Sequence, residues 1–170
     1  AWGILAAALA AVGPAGTIIV NDGDYGLEVI SLADAVTLRL ADTTGGGIIG
    51  SIDALATNGI DLQGNGLTTG NATVDNTIDC EISGTGTLTK TGGDRLILRA
   101  ANTYTGLTTV EQGYLRIGST AGPPLLVGSL DSSVVIESGA ILEFNPVVDV
   151  TITHSMEING DGAVHCLYDG

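Results

Sequence analysis

Between Gly84 and Gly118 the chain reads GTGTLTKTGGDRLILRAANTYTGLTTVEQGYLRIG, a succession of short apolar and β-branched runs, each closed by glycine. The inward candidates are Leu88, then Leu96 and Leu98, then Val110, then Leu115 and Ile117. Runs of three to five residues with period two are too short for helices and fit strands buried on one face. A chain that restarts such a run every few residues cannot build a wide flat sheet, but it can stack short strands.

The same device recurs along the sequence. Thr17 to Val20 is a β-branched run that stops at Asn21-Asp22-Gly23-Asp24. Within Leu27 to Leu40, Val36, Leu38 and Leu40 share one face while Thr37 and Arg39 take the other. Ile48 to Ile52 and Gly59 to Leu62 follow between glycine turns, and Ile78, Cys80 and Ile82 alternate with Asp79 and Glu81. Beyond a loop at Ser119 to Pro124 come Val134 and Ile136, Leu142 and Phe144, Val150 and Ile152, Met156 and Ile158, and Val164 and Cys166. Glu81–Leu88 (EISGTGTL) and Glu157–Val164 (EINGDGAV) align without gaps, which points to an internal repeat. Each unit of such a repeat buries its apolar face only by stacking on its neighbours. The expected fold is therefore all-β, a β-solenoid of about seven or eight coils at roughly twenty residues per coil. We expect one solenoid domain over 17–170, preceded by an apolar N-terminal arm or cap over 1–16.

Composition agrees with many turns and few helices: 26 glycines, 44% hydrophobic residues and 4% aromatic. The formal net charge of −14, from 19 acidic and 5 basic residues, repels nucleic acid and anionic lipid. It suits a repetitive structure kept soluble along its flanks. The apolar run Trp2 to Val12 is much shorter than the ~20 residues of a membrane helix, so no membrane span is expected.

One stretch carries a family resemblance. Gly84-x-Gly86-x-Leu88-x-Lys90-Thr91-Gly92, Leu96-x-Leu98, Asn102-Thr103-Tyr104-Thr105-Gly106, Thr108-Thr109-Val110 and Gly113-x-Leu115 together resemble the autotransporter-associated β-strand repeat, also called the passenger-associated transport repeat. A looser likeness extends over Thr77 to Cys166. The resemblance implies a right-handed parallel β-helix and a bacterial protein that is secreted or held at the cell surface. Leu107 and Asp94 stand where that repeat often has glycine. At 170 residues the chain has no room for the membrane barrel that follows such repeats in autotransporters, so a free-standing structural unit is expected.

Residues with chemical potential have structural readings. Asn102 and Tyr104 at a turn are expected to stack between coils and satisfy turn backbone groups, with Gly84, Gly86, Gly106, Gly113, Gly160 and Gly162 shaping the turns. Asn21, Asp22 and Asp24 offer oxygen ligands for calcium, but Glu28 is the one later carboxylate, too few for a calcium loop. His154, His165, Cys80 and Cys166 lack metal-ligand spacing, so neither metal nor cofactor is expected. Parity turns both thiols toward the core. In a regular stack they lie about four coils apart, near 19 Å, beyond the ~7 Å that a disulfide spans; free thiols or an intersubunit bond follow. Catalysis in a β-helix cleft needs clustered carboxylates with a nearby Lys or Arg, whereas here the acids are scattered. Arg95 and Arg99 are expected near Glu81 or Glu111 on adjacent coils.

The expected function is a non-enzymatic structural subunit of a bacterial extracellular or cell-surface assembly. Open solenoid ends invite another strand, so the chain is expected to self-associate into a homo-oligomer or filament. The assembly residues would be Trp2, Ile4, Leu5, Leu9 and Val12 at one end and Leu167 and Tyr168 at the other. The alternative is a passenger or adhesin segment whose long side binds a glycan or a host surface.

Overall fold

In the computed structural model, the described residues are 11, 13, 16–20, 29–31, 36–40, 48–49, 59–70, 75–118, 130–145 and 154–167. Their strands are β1 (Thr17–Val20), β2 (Val29–Ser31), β3 (Val36–Leu40), β4 (Ile48–Ile49), β5 (Gly59–Asp61), β6 (Gly66–Gly70), β7 (Asn76–Ile78) and β8 (Glu81–Ser83). They continue with β9 (Thr87–Lys90), β10 (Arg95–Leu98), β11 (Thr108–Val110), β12 (Tyr114–Ile117), β13 (Val134–Ile136), β14 (Ile141–Phe144), β15 (Met156–Ile158) and β16 (Ala163–Cys166). None exceeds five residues, because glycine or a polar corner interrupts each alternating run.

These strands form three parallel sheets, so the chain is a β-solenoid. The first sheet runs β1-β3-β6-β9-β11-β13-β15, the second β16-β14-β12-β10-β7-β4, and the third β2-β5-β8. Successive strands along the chain visit different sheets, and each strand pairs with the one a coil away. In the first sheet Leu67 pairs with Leu88, Leu88 with Thr108, Thr108 with Val134 and Val134 with Met156, steps of 21, 20, 26 and 22 residues. The first sheet stacks seven strands from β1 to β15, and its run from β6 to β15 makes about four turns, against the seven or eight coils that a uniform period implied. The period is not uniform: the step from Val36 to Leu67 takes 31 residues, so connections consume length that a regular stack would spend on strands.

The core is a set of aliphatic columns along the solenoid axis. Ile78, Leu98, Ile117 and Phe144 stack in the second sheet, and Ile60 on Ile82 in the third, all buried. Full burial of one such side chain is worth about 1.5–3 kcal/mol, and the contact repeats at every rung. At the end formed by β15 and β16 no described strand covers the column, and Ile158 is 49% exposed. This corrects the expectation for the thiols. Cys80 is buried, but Cys166, although in register with Phe144, is exposed because β16 is the edge of its sheet. Both are free thiols, and β16 lies four strand steps from β7.

Two further expectations are refined. The alternating run around Cys80 is not one strand: it breaks at Asp79-Cys80 into β7 and β8, and the inward parity survives the corner. The aligned octets Glu81–Leu88 and Glu157–Val164 occupy different corners, the first joining the third sheet to the first and the second joining the first to the second. Their likeness is a shared strand, glycine turn, strand device. The corners from β9 to β10, β11 to β12, β13 to β14 and β15 to β16 each carry a glycine in the left-handed region, among them Gly113 at φ 66° and Gly160 at φ 59°. The arm residues Trp2, Ile4, Leu5, Leu9 and Val12, the acidic cluster Asn21, Asp22, Asp24 and Glu28, the run Val150 and Ile152, and Tyr168 lie outside the described residues.

Candidate functional site

The polar residues of the repeat converge on the corners of the solenoid. Lys90 follows Leu88 in period two, so its side chain enters the interior and is 0% exposed. Its Nζ donates to the carbonyls of Thr91 and Gly92, both at 2.7 Å, and to that of Gln112 on the next coil at 3.2 Å. Asp94 Oδ1 lies 3.4 Å away, and the side chain of Asp94 is equally buried. The other oxygen, Oδ2, accepts from Asn76 Nδ2 at 3.0 Å, and Asn76 is 1% exposed. Burial pushes the Lys90 ammonium below its usual range, and the neighbouring Asp94 carboxylate only partly offsets this.

At the next corner Asn102 does what turn chemistry predicts. Its Oδ1 accepts the Ile82 amide of the preceding coil at 3.0 Å and its Nδ2 donates to the Ala100 carbonyl at 2.9 Å. Tyr104 is wholly buried, and its hydroxyl meets Thr108 Oγ1 at 2.6 Å, which in turn meets Ser132 Oγ at 2.6 Å. Burial pushes the phenol up to about 12 despite these hydroxyl partners. Gly86 and Gly106 sit where coils touch: a Cβ on Gly106 would fall on the Gly86 carbonyl oxygen, and one on Gly86 on the Asn65 carbonyl. Gly84 and Gly113 have positive φ, and Gly162 packs against Ile136 and Glu137 of the coil below.

The outer face of the second sheet carries a ladder of charge. Arg95 Nη1 reaches Asp75 Oδ2 at 2.8 Å and its Nε reaches Glu143 Oε2 at 2.8 Å, while its guanidinium lies 5.2 Å from the centre of the Tyr114 ring. Arg116 Nε meets the same Glu143 oxygen at 2.8 Å. Burial favours the neutral acid at Glu143, but hydrogen bonds from Arg95 and Arg116 outweigh it and hold the carboxyl below the usual range. Arg99 pairs with Asp79 at 3.2 Å in the interior. The arginines thus find Asp75, Asp79 and Glu143, not the expected Glu81 or Glu111. Register explains the difference: Arg95 projects from the same face as Glu143 two strands away, whereas Glu81 belongs to the third sheet.

The structure thus brings together Asn102 and Tyr104 with the turn glycines, and leaves Leu167 half-buried at the open end. Sequence reasoning missed the inward role of Lys90 and its meeting with Asp94 and Asn76. The signal was present in Thr87-Leu88-Thr89-Lys90, where Lys90 shares the parity of Leu88. Among the described residues no group of three potential metal ligands converges, and no helix is long and apolar enough to cross a membrane.

Comparison with known proteins matches this arrangement. Residues 88–117 match the family model of the passenger-associated-transport-repeat, so the chain carries that repeat at the coils formed by β9 to β12. It is also similar to a protein named extracellular serine protease from Serratia marcescens, 39% identical over 93 residues. That match covers 52% of this chain and 8% of the Serratia protein, so the chain spans less than a tenth of that relative's length. No solved structure matches.

Proposed function

Starting from a chain that carries a passenger-associated transport repeat, we propose that it is a non-enzymatic scaffold segment of a bacterial passenger, secreted or held at the cell surface. The observation that carries this reading is where the repeat spends its polar residues. Lys90, Asp94, Asn102 and Tyr104 are buried and bonded to groups of the solenoid itself, which leaves them serving the stack and not a substrate. The likeness to one portion of a long extracellular protein supports the same placement. Placed between a secretion signal and a passenger-less translocator barrel, the chain should appear on the outer surface as a protease-resistant fold. Retention in the periplasm in a degraded form would refute it.

The exposed apolar end favours a second reading, end-to-end association of copies by strand addition into a filament. Ile158 is 49% exposed on β15, and among the described residues no strand pairs with the outer edge of β16, which ends at the half-buried Leu167. Size-exclusion chromatography and negative-stain microscopy distinguish the two: filaments lost on deleting residues 1–12 favour association, and a monodisperse monomer refutes it. A glycan or host surface would then be the partner of the long acidic flanks in the passenger reading.

A further inference from the structure

We propose that Lys90 and Asn76 become joined by an intramolecular isopeptide bond whose formation Asp94 catalyses. Three complementary groups meet in one dry corner: an amine, a carboxamide and a carboxylate that touches both. All three residues are buried, at 0% for Lys90, 1% for Asn76 and 7% for Asp94. The carboxylate is divided between them, with Oδ1 facing Lys90 Nζ at 3.4 Å and Oδ2 holding Asn76 Nδ2, the leaving nitrogen, at 3.0 Å.

The attack requires the neutral amine, and Asp94 beside a buried ammonium supplies the base that generates it. A charge-assisted N–H···O⁻ bond normally closes to about 2.7–2.9 Å, yet the contact with Asp94 is longer while two backbone carbonyls stand at 2.7 Å. The carbonyls of Thr91 and Gly92 at 2.7 Å and of Gln112 at 3.2 Å hold the nitrogen in place through its hydrogens, and burial lowers the affinity of Lys90 for its third proton, which faces Asp94. Asp94 Oδ1 takes that proton. The Nζ lone pair then attacks Asn76 Cγ, forming the new C–N bond and a tetrahedral oxyanion. As this collapses, the second Nζ proton passes through Asp94 to Nδ2, and the Cγ–Nδ2 bond breaks. Two protons leave Nζ in all and both end on the departing nitrogen, released as ammonium. Asp94 is left a carboxylate, and no oxidant or co-reactant enters. Fixed proximity supplies the effective concentration that makes an amine and an amide react.

The product would tie β9 of one coil to β7 of the coil before it, closing a covalent ring around β8. Such a ring prevents that turn from unwinding, which suits a fold whose strands pair with those of neighbouring coils.

Intact-mass spectrometry of the folded full chain, denatured only for measurement, tests the proposal. The expected mass is one ammonia below the sequence mass. Tandem spectra should place the link between Lys90 and Asn76, and trypsin should no longer cleave after Lys90 in the unfolded chain. The loss should vanish in Lys90→Met, Asn76→Ala and Asp94→Ala. Mapping matters because an Asn-Gly succinimide, as at Asn65-Gly66 or Asn159-Gly160, loses the same mass; ammonia loss confined to such a site overturns the proposal. The full sequence mass in a wild-type chain with native circular dichroism also overturns it. So does loss of water with a Lys90–Asp94 link. Because the wild-type mass decides, the test does not depend on any variant folding.

Discussion

Replacing Glu143 by glutamine should weaken three coils at once. The carboxylate on β14 receives Nε hydrogen bonds at 2.8 Å from Arg116 on the adjacent β12 and from Arg95 on β10, one strand further. Its side chain is 5% exposed, whereas those of Arg95 and Arg116 are 25% and 21% exposed. Removing one member of a fully buried ion pair costs about 3–5 kcal/mol. Here both guanidiniums regain water, and glutamine keeps one acceptor oxygen, so we expect about 2–3 kcal/mol. At roughly 2–4 °C per kcal/mol for a chain of this size, the melting midpoint should fall by about 4–12 °C. The pH dependence follows from the depressed pKa of Glu143. A carboxyl held below its unfolded value contributes stability fully present above that unfolded value and lost as pH falls through the folded one. Thermal and urea unfolding of wild type and Glu143→Gln should therefore differ most at neutral pH and converge on acidification through and below the ordinary carboxylate range. The exposed Glu111 supplies a control, and Glu111→Gln should stay within about 0.5 kcal/mol of wild type. A Glu143→Gln variant as stable as wild type at neutral pH, or a deficit that persists unchanged in acid, would refute the reasoning.

Other parts of the stack give three more expectations. Gly106→Ala should destabilise by about 1–3 kcal/mol in chemical denaturation, because the new methyl meets the Gly86 carbonyl of the neighbouring coil; an unchanged midpoint would show that the coils separate easily there. Asn102→Ala leaves the buried Ile82 amide without its side-chain acceptor, a cost of about 1–3 kcal/mol, and hydrogen exchange at Ile82 should accelerate more than at Leu98. In native protein a thiol reagent should modify Cys166 alone, since burial pushes the Cys80 thiol up to about 12. Cys80 should react only on unfolding, and a native titre that drops in Cys80→Ser would contradict this.

Most strands were legible because they depend on one local rule. Thr17 to Val20, Val36 to Leu40, Val134 with Ile136 and Leu142 with Phe144 alternate in the sequence and are strands in the fold. Parity even carried across the break at Asp79-Cys80, since both Cys80 and Ile82 are inward. Coil length was not legible, because it depends on where connections lengthen, as in the 31-residue step from Val36 to Leu67. Nor were the charge partners. Which acid meets Arg95 depends on sheet membership, and sequence distance ranks Glu81 nearer than Glu143 although only the latter shares the face of the second sheet. For Cys166 the direction was legible but not the exposure, which is set by the absence of a described strand over β16.

The distribution of charge then separates the flanks of the solenoid from its ends. Lys90 is committed within the fold to Asp94, Arg95 to Asp75 and Glu143, Arg99 to Asp79, and Arg116 to Glu143. The acidic surplus of a chain with formal charge −14 is therefore carried by carboxylates such as Glu81, Glu111, Asp131 and Glu157, all exposed on the coils. Like charges repeated along a rod oppose side-by-side contact over about one Debye length, roughly 8–10 Å near physiological salt. The end at β15 and β16 differs, with edges that no described strand covers and half-covered Met156 and Val164. Edge pairing acts at hydrogen-bond range and buries apolar columns, so the geometry favours contact along the axis and disfavours it across the flanks. A further coil of a longer passenger and a second copy of the chain would exploit the same end by the same chemistry.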